Sequence, residues 1–130
     1  MIVVDSSVWI SHFSDVPHRE VLLLRALVET EQILVGDLIL VEVLKGARSE
    51  RAARFIESEL GGFDTARLVD LRIARTAAAN YRALRAKGVT IRNSIDLIVG
   101  TYCIEHGHAL LHRDRDFLHM EQLGLLSYGA

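Results

Sequence analysis

Residues 2–10 are Ile2-Val3-Val4-Asp5-Ser6-Ser7-Val8-Trp9-Ile10. The β-branched run Ile2–Val4 is typical of a fully buried strand, and it ends on an acid. From Ser6 onward the apolar residues follow at helical spacing. The stretch therefore predicts a buried strand that passes directly into a helix, with Asp5 at the carboxyl end of the strand.

The same alternation continues along the chain. Short apolar runs predict further strands at 33–35, 67–69, 109–111 and 125–126. Helical periodicity separates them, at 6–14, 18–28, 37–44, 50–60, 71–87, 93–105 and 116–123, with Asp37 as the expected cap of the third helix. Short apolar strands alternating with helices indicate a parallel sheet covered on both faces. The predicted fold class is α/β, with three layers (α/β/α) around a central, mostly parallel sheet.

Composition limits the classes of protein to be considered. The chain has 130 residues, half of them hydrophobic, which is enough for one domain over 1–130 with its own core. Its one cysteine, Cys103, excludes an intramolecular disulfide and a zinc site built from several cysteines. A net charge of −2 argues against the overall basic field of a protein that coats DNA. With no signal-peptide pattern and no apolar run long enough to span a membrane, we expect a soluble intracellular domain that makes no membrane contact.

Carboxylates interrupt the apolar sequence where predicted parallel strands end. Asp5 ends the first strand, and Asp114 and Asp116 follow the strand at 109–111. Glu42 and Asp96 each lie in an otherwise uncharged apolar segment, at 38–44 and 95–99. Ligands in open α/β sheets bind at the carboxyl ends of strands, near the switch in strand order. We therefore expect these five acids to converge on one crevice.

Several carboxylates in one crevice need a cation, because their mutual repulsion would otherwise raise their pKa values. Carboxylate oxygens without clustered Cys or His suit Mg²⁺, or alternatively Mn²⁺, rather than zinc. A carboxylate-bound Mg²⁺ keeps positions open for water and phosphate oxygens. The pattern thus indicates phosphodiester hydrolysis.

Each acid also has a purely structural explanation. Asp5 could cap the first helix, Asp96 could close a capping box with Asn93, and Glu42 could pair with Lys45 one turn on. The remaining two acids could be turn and cap residues. Five separate coincidences, two of them inside apolar runs, are harder to accept than one shared site.

Four segments resemble the PIN-domain ribonucleases, specifically the VapC-type toxins of prokaryotic toxin–antitoxin pairs. They are residues 2–10, Gly36-Asp37-Leu38-Ile39-Leu40-Val41-Glu42-Val43-Leu44-Lys45-Gly46, Ile95-Asp96-Leu97-Ile98-Val99 and His112-Arg113-Asp114-Arg115-Asp116-Phe117. The resemblance covers essentially the whole chain, in order. It implies a cytoplasmic, Mg²⁺-dependent endoribonuclease that cleaves RNA and halts translation until a VapB-type antitoxin blocks it. It also implies a homodimer.

Carried over by position, the resemblance implies five catalytic residues: Asp5, Glu42, Asp96, Asp114 and Asp116. All except Glu42 are then expected metal ligands, while Glu42 helps to hold a second ion or orients the attacking water. Ser7 matches the small hydroxyl residue that supports the first acid.

Four basic residues neighbour the acids in sequence and are candidate contacts to RNA phosphates: Lys45, Arg92, Arg113 and Arg115. Each could equally be a solvated charge or the partner of a carboxylate. Trp9 and Phe13 are one turn apart on the first helix, and core packing is the simpler interpretation. The alternative is a groove for the antitoxin's C-terminal segment, with a basic antitoxin side chain reaching the acids.

Two other functions stay open on the sequence alone. A haloacid-dehalogenase-like phosphohydrolase would also combine carboxylates with Mg²⁺, but it needs a second Asp two residues after the first, where this chain has Ser7. A non-catalytic PIN-like binding module is disfavoured because all five acids are present.

Overall fold

Five strands form one parallel sheet in the computed structural model, which describes residues 1–30 and 32–129. The strands are β1 (Ile2–Val4), β2 (Ile33–Gly36), β3 (Asp64–Ala66), β4 (Ala109–Leu111) and β5 (Leu126–Ser127). Their order in the sheet is β3-β2-β1-β4-β5, and every pairing between them is parallel. The predicted α/β fold with a central parallel sheet is confirmed.

In the part of the chain that the structure describes, seven α-helices connect the strands: α1 (Ser6–Phe13), α2 (Arg19–Leu27), α3 (Asp37–Lys45), α4 (Glu50–Leu60), α5 (Leu71–Ala86), α6 (Ser94–His106) and α7 (Arg115–Met120). The 3₁₀ turns Val28–Thr30 and Glu121–Leu123 follow α2 and α7. Within the described ranges, no helix combines the length and the apolar character that a membrane crossing requires.

The connections place the helices in two outer layers. From β1 the chain moves to β2 and then β3 in one direction, and afterwards it returns to add β4 and β5 on the other side of β1. Right-handed crossovers then put α1–α4 on one face of the sheet and α5–α7 on the other. The helix contacts agree, because α1 packs on α2 and α3 while α6 packs on α5 and α7. The three-layer arrangement follows.

The change of direction creates a switch point between β1 and β4. These strands are adjacent, and the Asp5 amide donates a hydrogen bond of 2.9 Å to the Leu111 carbonyl at their carboxyl ends. The chain leaves both strands here, into α1 and toward α7. A crevice at this edge is where ligands bind in open α/β sheets.

The largest differences from the sequence prediction are in β3 and at the start of α3. The strand predicted at 67–69 lies three residues earlier, at Asp64–Ala66, because this edge strand is mostly exposed and lacks an apolar pattern. Leu68 is buried but packs against Gly36 rather than joining the sheet. Asp37, the expected cap of α3, is instead its first residue, and Gly36 is the cap. The Asp37 carboxylate accepts hydrogen bonds from the amides of Leu38 and Leu68.

Candidate metal centre

Asp5 both caps α1 and contributes to the acidic cluster. Its Oδ2 accepts hydrogen bonds from the Ser7 amide at 3.3 Å and the Ser7 hydroxyl at 2.7 Å. Its Oδ1 is buried and has no hydrogen-bond partner in the described part of the chain. Burial raises the pKa of Asp5 above its ordinary value, while the hydrogen bonds from Ser7 lower it. The capping alternative is therefore correct, but it uses only one of the two oxygens.

Glu42 is held by a hydroxyl that the sequence analysis did not single out. On α3, its Oε1 accepts a hydrogen bond of 2.9 Å from the Ser6 hydroxyl, and Ser6 is buried. No ion pair joins Glu42 to Lys45 within residues 1–30 and 32–129. Ser7 bonds to Asp5, as the resemblance implies, whereas the bond from Ser6 to Glu42 depends on the packing of α1 on α3.

Asp96 lies in the first turn of α6. The cap of this helix is Asn93, whose side chain accepts from the Ile95 amide at 2.8 Å. Among the described residues, no hydrogen bond runs from Asp96 back to Asn93, so the capping box is not formed. Burial and then the charge of Asp5 raise the pKa of Asp96 to about 7, and the other nearby acids add to the shift.

Asp5, Glu42 and Asp96 form a compact cluster. One carboxylate oxygen from each residue lies within 4.8 Å of the others. Asp5 directly follows β1, Glu42 lies on α3 and Asp96 lies in the first turn of α6, and the switch point brings these elements together. Of the five predicted acids, the structure thus gathers three into one group.

Asp114 and Asp116 lie beside this cluster, at its rim. Asp114 caps α7, and its Oδ1 accepts from the Asp116 amide at 2.8 Å. Asp116 Oδ2 accepts from the Arg92 amide at 3.3 Å. Both acids line an open cavity of about 540 Å³ that Asp96 also lines. They are near enough to help raise the pKa of Asp96.

The candidate RNA contacts separate into two groups. Arg92, Arg113 and Arg115 line the cavity above Asp96, whereas Lys45 is exposed on α3 and does not. Arg113 also forms an ion pair, with its Nε 3.2 Å from Glu20 Oε1. Three arginines thus surround an acidic crevice, the arrangement expected where an anionic chain must approach carboxylates.

Trp9 and Phe13 have different environments. Trp9 is 1% exposed and packs in the core, so it cannot itself line a surface groove. Phe13 stacks on it with ring centroids 6.0 Å apart and also contacts Phe55, whose side chain is 60% exposed. The aromatic surface next to α1 is therefore formed by Phe13 and Phe55.

The acidic cluster fits a hard divalent cation. A bound cation would pair with the buried Asp5 Oδ1, an acceptor whose burial is otherwise costly. It would also offset the repulsion that raises the pKa of Asp96. All the donor atoms are carboxylate oxygens, the ligands preferred by Mg²⁺ and Mn²⁺.

Comparison with known proteins gives a consistent family. The family described as PIN domain matches residues 2–123. The VapC ribonuclease Mb1587 of Mycobacterium bovis is 31% identical over 119 residues, covering 90% of this chain and 89% of that protein. Ribonuclease VapC11 of Mycobacterium tuberculosis matches with the same identity and coverage.

Solved structures show the same fold. The crystal structure of VapBC2 from Rickettsia felis, bound to a DNA fragment from its promoter, contains a chain that matches with a TM-score of 0.71 at 16% identity. The match covers 98% of this chain and 96% of that one. A chain of FitAcB from Neisseria gonorrhoeae matches with a TM-score of 0.73 at 15% identity, covering 99% and 97%.

Proposed function

The chain belongs to the PIN-domain family and is a relative of the VapC ribonucleases, and from this premise we propose that it is the toxin of a type II toxin–antitoxin pair. Its activity is hydrolysis of RNA phosphodiester bonds within the chain, which inhibits translation. It acts in the cytoplasm, where its RNA substrate and its antitoxin are both found. The required cofactor is Mg²⁺, which Mn²⁺ can replace.

The acidic cluster is the observation that carries this proposal. Asp5, Glu42 and Asp96 offer oxygens within 4.8 Å of one another at the carboxyl edge of a parallel sheet. Asp5 and Asp96 would hold the ion, with Asp114 and Asp116 supporting it from the rim. Such a cluster is costly for the folded protein without a cation, and a site that is costly to build indicates a function.

The bound ion would supply Lewis-acid stabilisation of the phosphoryl charge and lower the pKa of a bound water. The chain's own residues position the reactants. Ser6 fixes one carboxylate oxygen of Glu42. The other carboxylate oxygen of Glu42 is then free to orient the attacking water and accept its proton. A bond forms between the water oxygen and phosphorus, the bond from phosphorus to the 3′ oxygen breaks, and solvent protonates the departing oxygen.

Substrate binding relies on the basic residues around the crevice. Arg92, Arg113 and Arg115 line the cavity that contains Asp96, and they would contact the phosphates on either side of the cleaved bond. They also offset the repulsion between the acids and the RNA backbone. Lys45, which lies outside this cavity, would contact a more distant part of the RNA.

The antitoxin is the proposed protein partner. The structural neighbours include VapBC2 and FitAcB assemblies, and a toxin–antitoxin complex from Klebsiella pneumoniae matches with a TM-score of 0.70 over 90% of each chain. Phe13 and the exposed Phe55 would contact an apolar segment of a VapB-type antitoxin. A basic side chain of that segment would reach the acidic cluster and inhibit the enzyme.

A homodimer is part of the proposal. Leu71 is 73% exposed and Val41 is 55% exposed, and both lie on helices. Contact with water is unfavourable for large apolar side chains, and association of two copies through these helices would remove it. A molecular mass of one chain at micromolar concentration would remove the dimer from the proposal without affecting the nuclease.

Cleavage of total RNA with Mg²⁺, with Mn²⁺ or with EDTA tests the proposed activity. Wild type should produce discrete fragments that disappear with EDTA. Asp96→Asn removes one carboxylate at nearly constant volume and should abolish cleavage. Asp64→Asn, an exposed acid on the edge strand β3, is the matched control and should cleave like wild type. Intact RNA after incubation with folded, antitoxin-free wild type in Mn²⁺ would instead favour a non-catalytic binding module.

A further inference from the structure

A second cavity adjoins the crevice that contains the acids. It has a volume of about 430 Å³, and it shares Arg113, Asp114 and Arg115 with the cavity that contains Asp96. The segment 113–115 is therefore a common wall. A chemical group attached to the nucleotide next to the cleaved phosphate would lie within reach of this second cavity.

The second cavity combines apolar and hydrogen-bonding surfaces. Leu118, 49% exposed, and Tyr128 contribute apolar area, while Glu20, His112 and Ser127 contribute polar groups. A site for phosphate alone would need only cations. A nucleobase needs this combination, because its faces stack on apolar side chains and its edges form hydrogen bonds.

The polar groups of this cavity are held in place. The Asp114 amide donates to His112 Nδ1 at 3.2 Å, so the ring proton is on Nε2, which then donates to the Ser127 hydroxyl at 2.8 Å. Both ring nitrogens of His112 are used in these bonds, so the ring holds the Ser127 hydroxyl in place and leaves its hydrogen free to bond to a base.

Glu20 is the group best placed to discriminate between bases. It lies on α2, and its Oε1 accepts from Arg113 Nε at 3.2 Å across 93 residues of sequence. Its Oε2 forms no hydrogen bond within residues 1–30 and 32–129. A carboxylate accepts hydrogen bonds but donates none, so it favours bases that present an amino group. Guanine, cytosine and adenine present one, whereas the only base-edge donor of uracil is its ring N3–H, which is flanked by two carbonyl oxygens that a carboxylate repels.

We propose that this second cavity binds one nucleobase of the RNA beside the cleaved phosphodiester bond, and that Glu20 selects amino-bearing bases over uracil. The inference rests on the function proposed above and adds a specificity site to it. Arg113 joins the two cavities, because the pair with Glu20 fixes its side chain in the wall that also faces the phosphate.

Cleavage of an RNA pool with a randomised segment tests the specificity, with the cut ends identified by sequencing. Wild type should disfavour uracil at one position next to the cut, by about tenfold if one hydrogen bond to a charged group decides it. Glu20→Gln and Leu118→Ser should reduce that ratio toward one. The matched controls Glu29→Gln and Leu22→Ser, exposed residues outside the cavity, should leave it unchanged.

A direct binding measurement separates this proposal from the nuclease itself. Nucleoside 5′-monophosphates are titrated into wild type, and the Leu118 methyl signals are followed by NMR. Guanosine and cytidine monophosphates should shift these signals at lower concentration than uridine monophosphate, and Glu20→Gln should remove the difference. This result would stand even if no RNA were cleaved. Equal cutting preferences in all variants, or loss of antitoxin binding with unchanged preferences, would overturn the nucleobase site.

Discussion

The Ser6 hydroxyl donates a hydrogen bond of 2.9 Å to Glu42 Oε1, although the two residues are 36 positions apart in the chain. The neighbouring Ser7 hydroxyl donates to Asp5 Oδ2 at 2.7 Å. One turn of α1 thus holds two of the three clustered carboxylates, each by one oxygen. The other oxygen of each acid stays available to a cation or to water.

Ser6→Ala should lower kcat for RNA cleavage by about tenfold, because Glu42 would lose the hydrogen bond that fixes it. KM for RNA should change little, since Ser6 does not touch the substrate. Ser6→Thr keeps the hydroxyl and should restore most of the rate. Ser58→Ala, on the exposed surface of α4, is the control. A raised KM with normal kcat would place Ser6 in substrate binding instead.

Asp96→Asn should stabilise the metal-free protein at neutral pH. The pKa of Asp96 is raised from 3.8 to about 7. Its contribution to the stability of the folded protein is therefore present at low pH and is lost as the pH rises between these two values. Asn does not ionise and escapes this loss. The variant should therefore match wild type near pH 4 and exceed it by about 1–2 kcal/mol above pH 7, after allowing for solvent screening. Urea unfolding in EDTA across this range measures the difference, and a constant difference would contradict the assigned shift.

The loss of Mn²⁺ affinity on substituting an acid should depend on where that acid lies in the site. Asp96 belongs to the compact cluster, while Asp116 lies at the rim and already accepts a hydrogen bond from the Arg92 amide. Asp96→Asn should weaken Mn²⁺ binding by 100-fold or more, and Asp116→Asn by roughly tenfold, as expected for a supporting residue. The rise in melting temperature with added Mn²⁺ gives both values. Equal losses of Mn²⁺ affinity in the two variants would indicate that Asp116 is a direct ligand.

Gly100→Ala should destabilise the fold by ~1–3 kcal/mol, the usual range for an overpacked core. A Cβ at this position would overlap the Sδ of the buried Met120, so α6 could no longer approach α7 as closely. Met120→Val in the same chain should recover part of the loss. Gly46→Ala, where the nearest atom is 3.7 Å away, should be close to neutral. Urea denaturation distinguishes the two glycines.

The sequence predicts the acidic cluster because a carboxylate inside an apolar run is conspicuous, as Asp96 and Glu42 are. The order of strands and helices follows from periodicity in the same way. The position of the edge strand β3 is not predicted, because its exposed residues have no apolar pattern. The neighbouring run 67–69, which contains the buried Leu68, does have one. A hydrophobic pattern indicates which residues are buried, but burial alone does not distinguish a strand from a packed loop.

Contacts between distant positions are the part that the sequence does not reveal. Arg113 is a plausible RNA contact from its position beside the acids, but its pair with Glu20 joins residues 93 positions apart. The bond from Ser7 to Asp5 is local and agrees with the resemblance, but the bond from Ser6 to Glu42 joins residues 36 positions apart. That bond depends on how α1 packs against α3, which is a property of the assembled fold.

The chemistry of the cut ends tests how the proposed nuclease attacks. If water held near Glu42 is the nucleophile, the products carry 5′-phosphate and 3′-hydroxyl ends. The RNA's own 2′-hydroxyl then takes no part in bond formation, so a 2′-deoxy nucleotide on the 5′ side of the cut should still allow cleavage. Mass spectrometry of a short oligonucleotide, with and without this single substitution, decides the point. A 2′,3′-cyclic phosphate, together with loss of cutting at the deoxy position, would show attack by the RNA itself, and Glu42 would then have no water to orient.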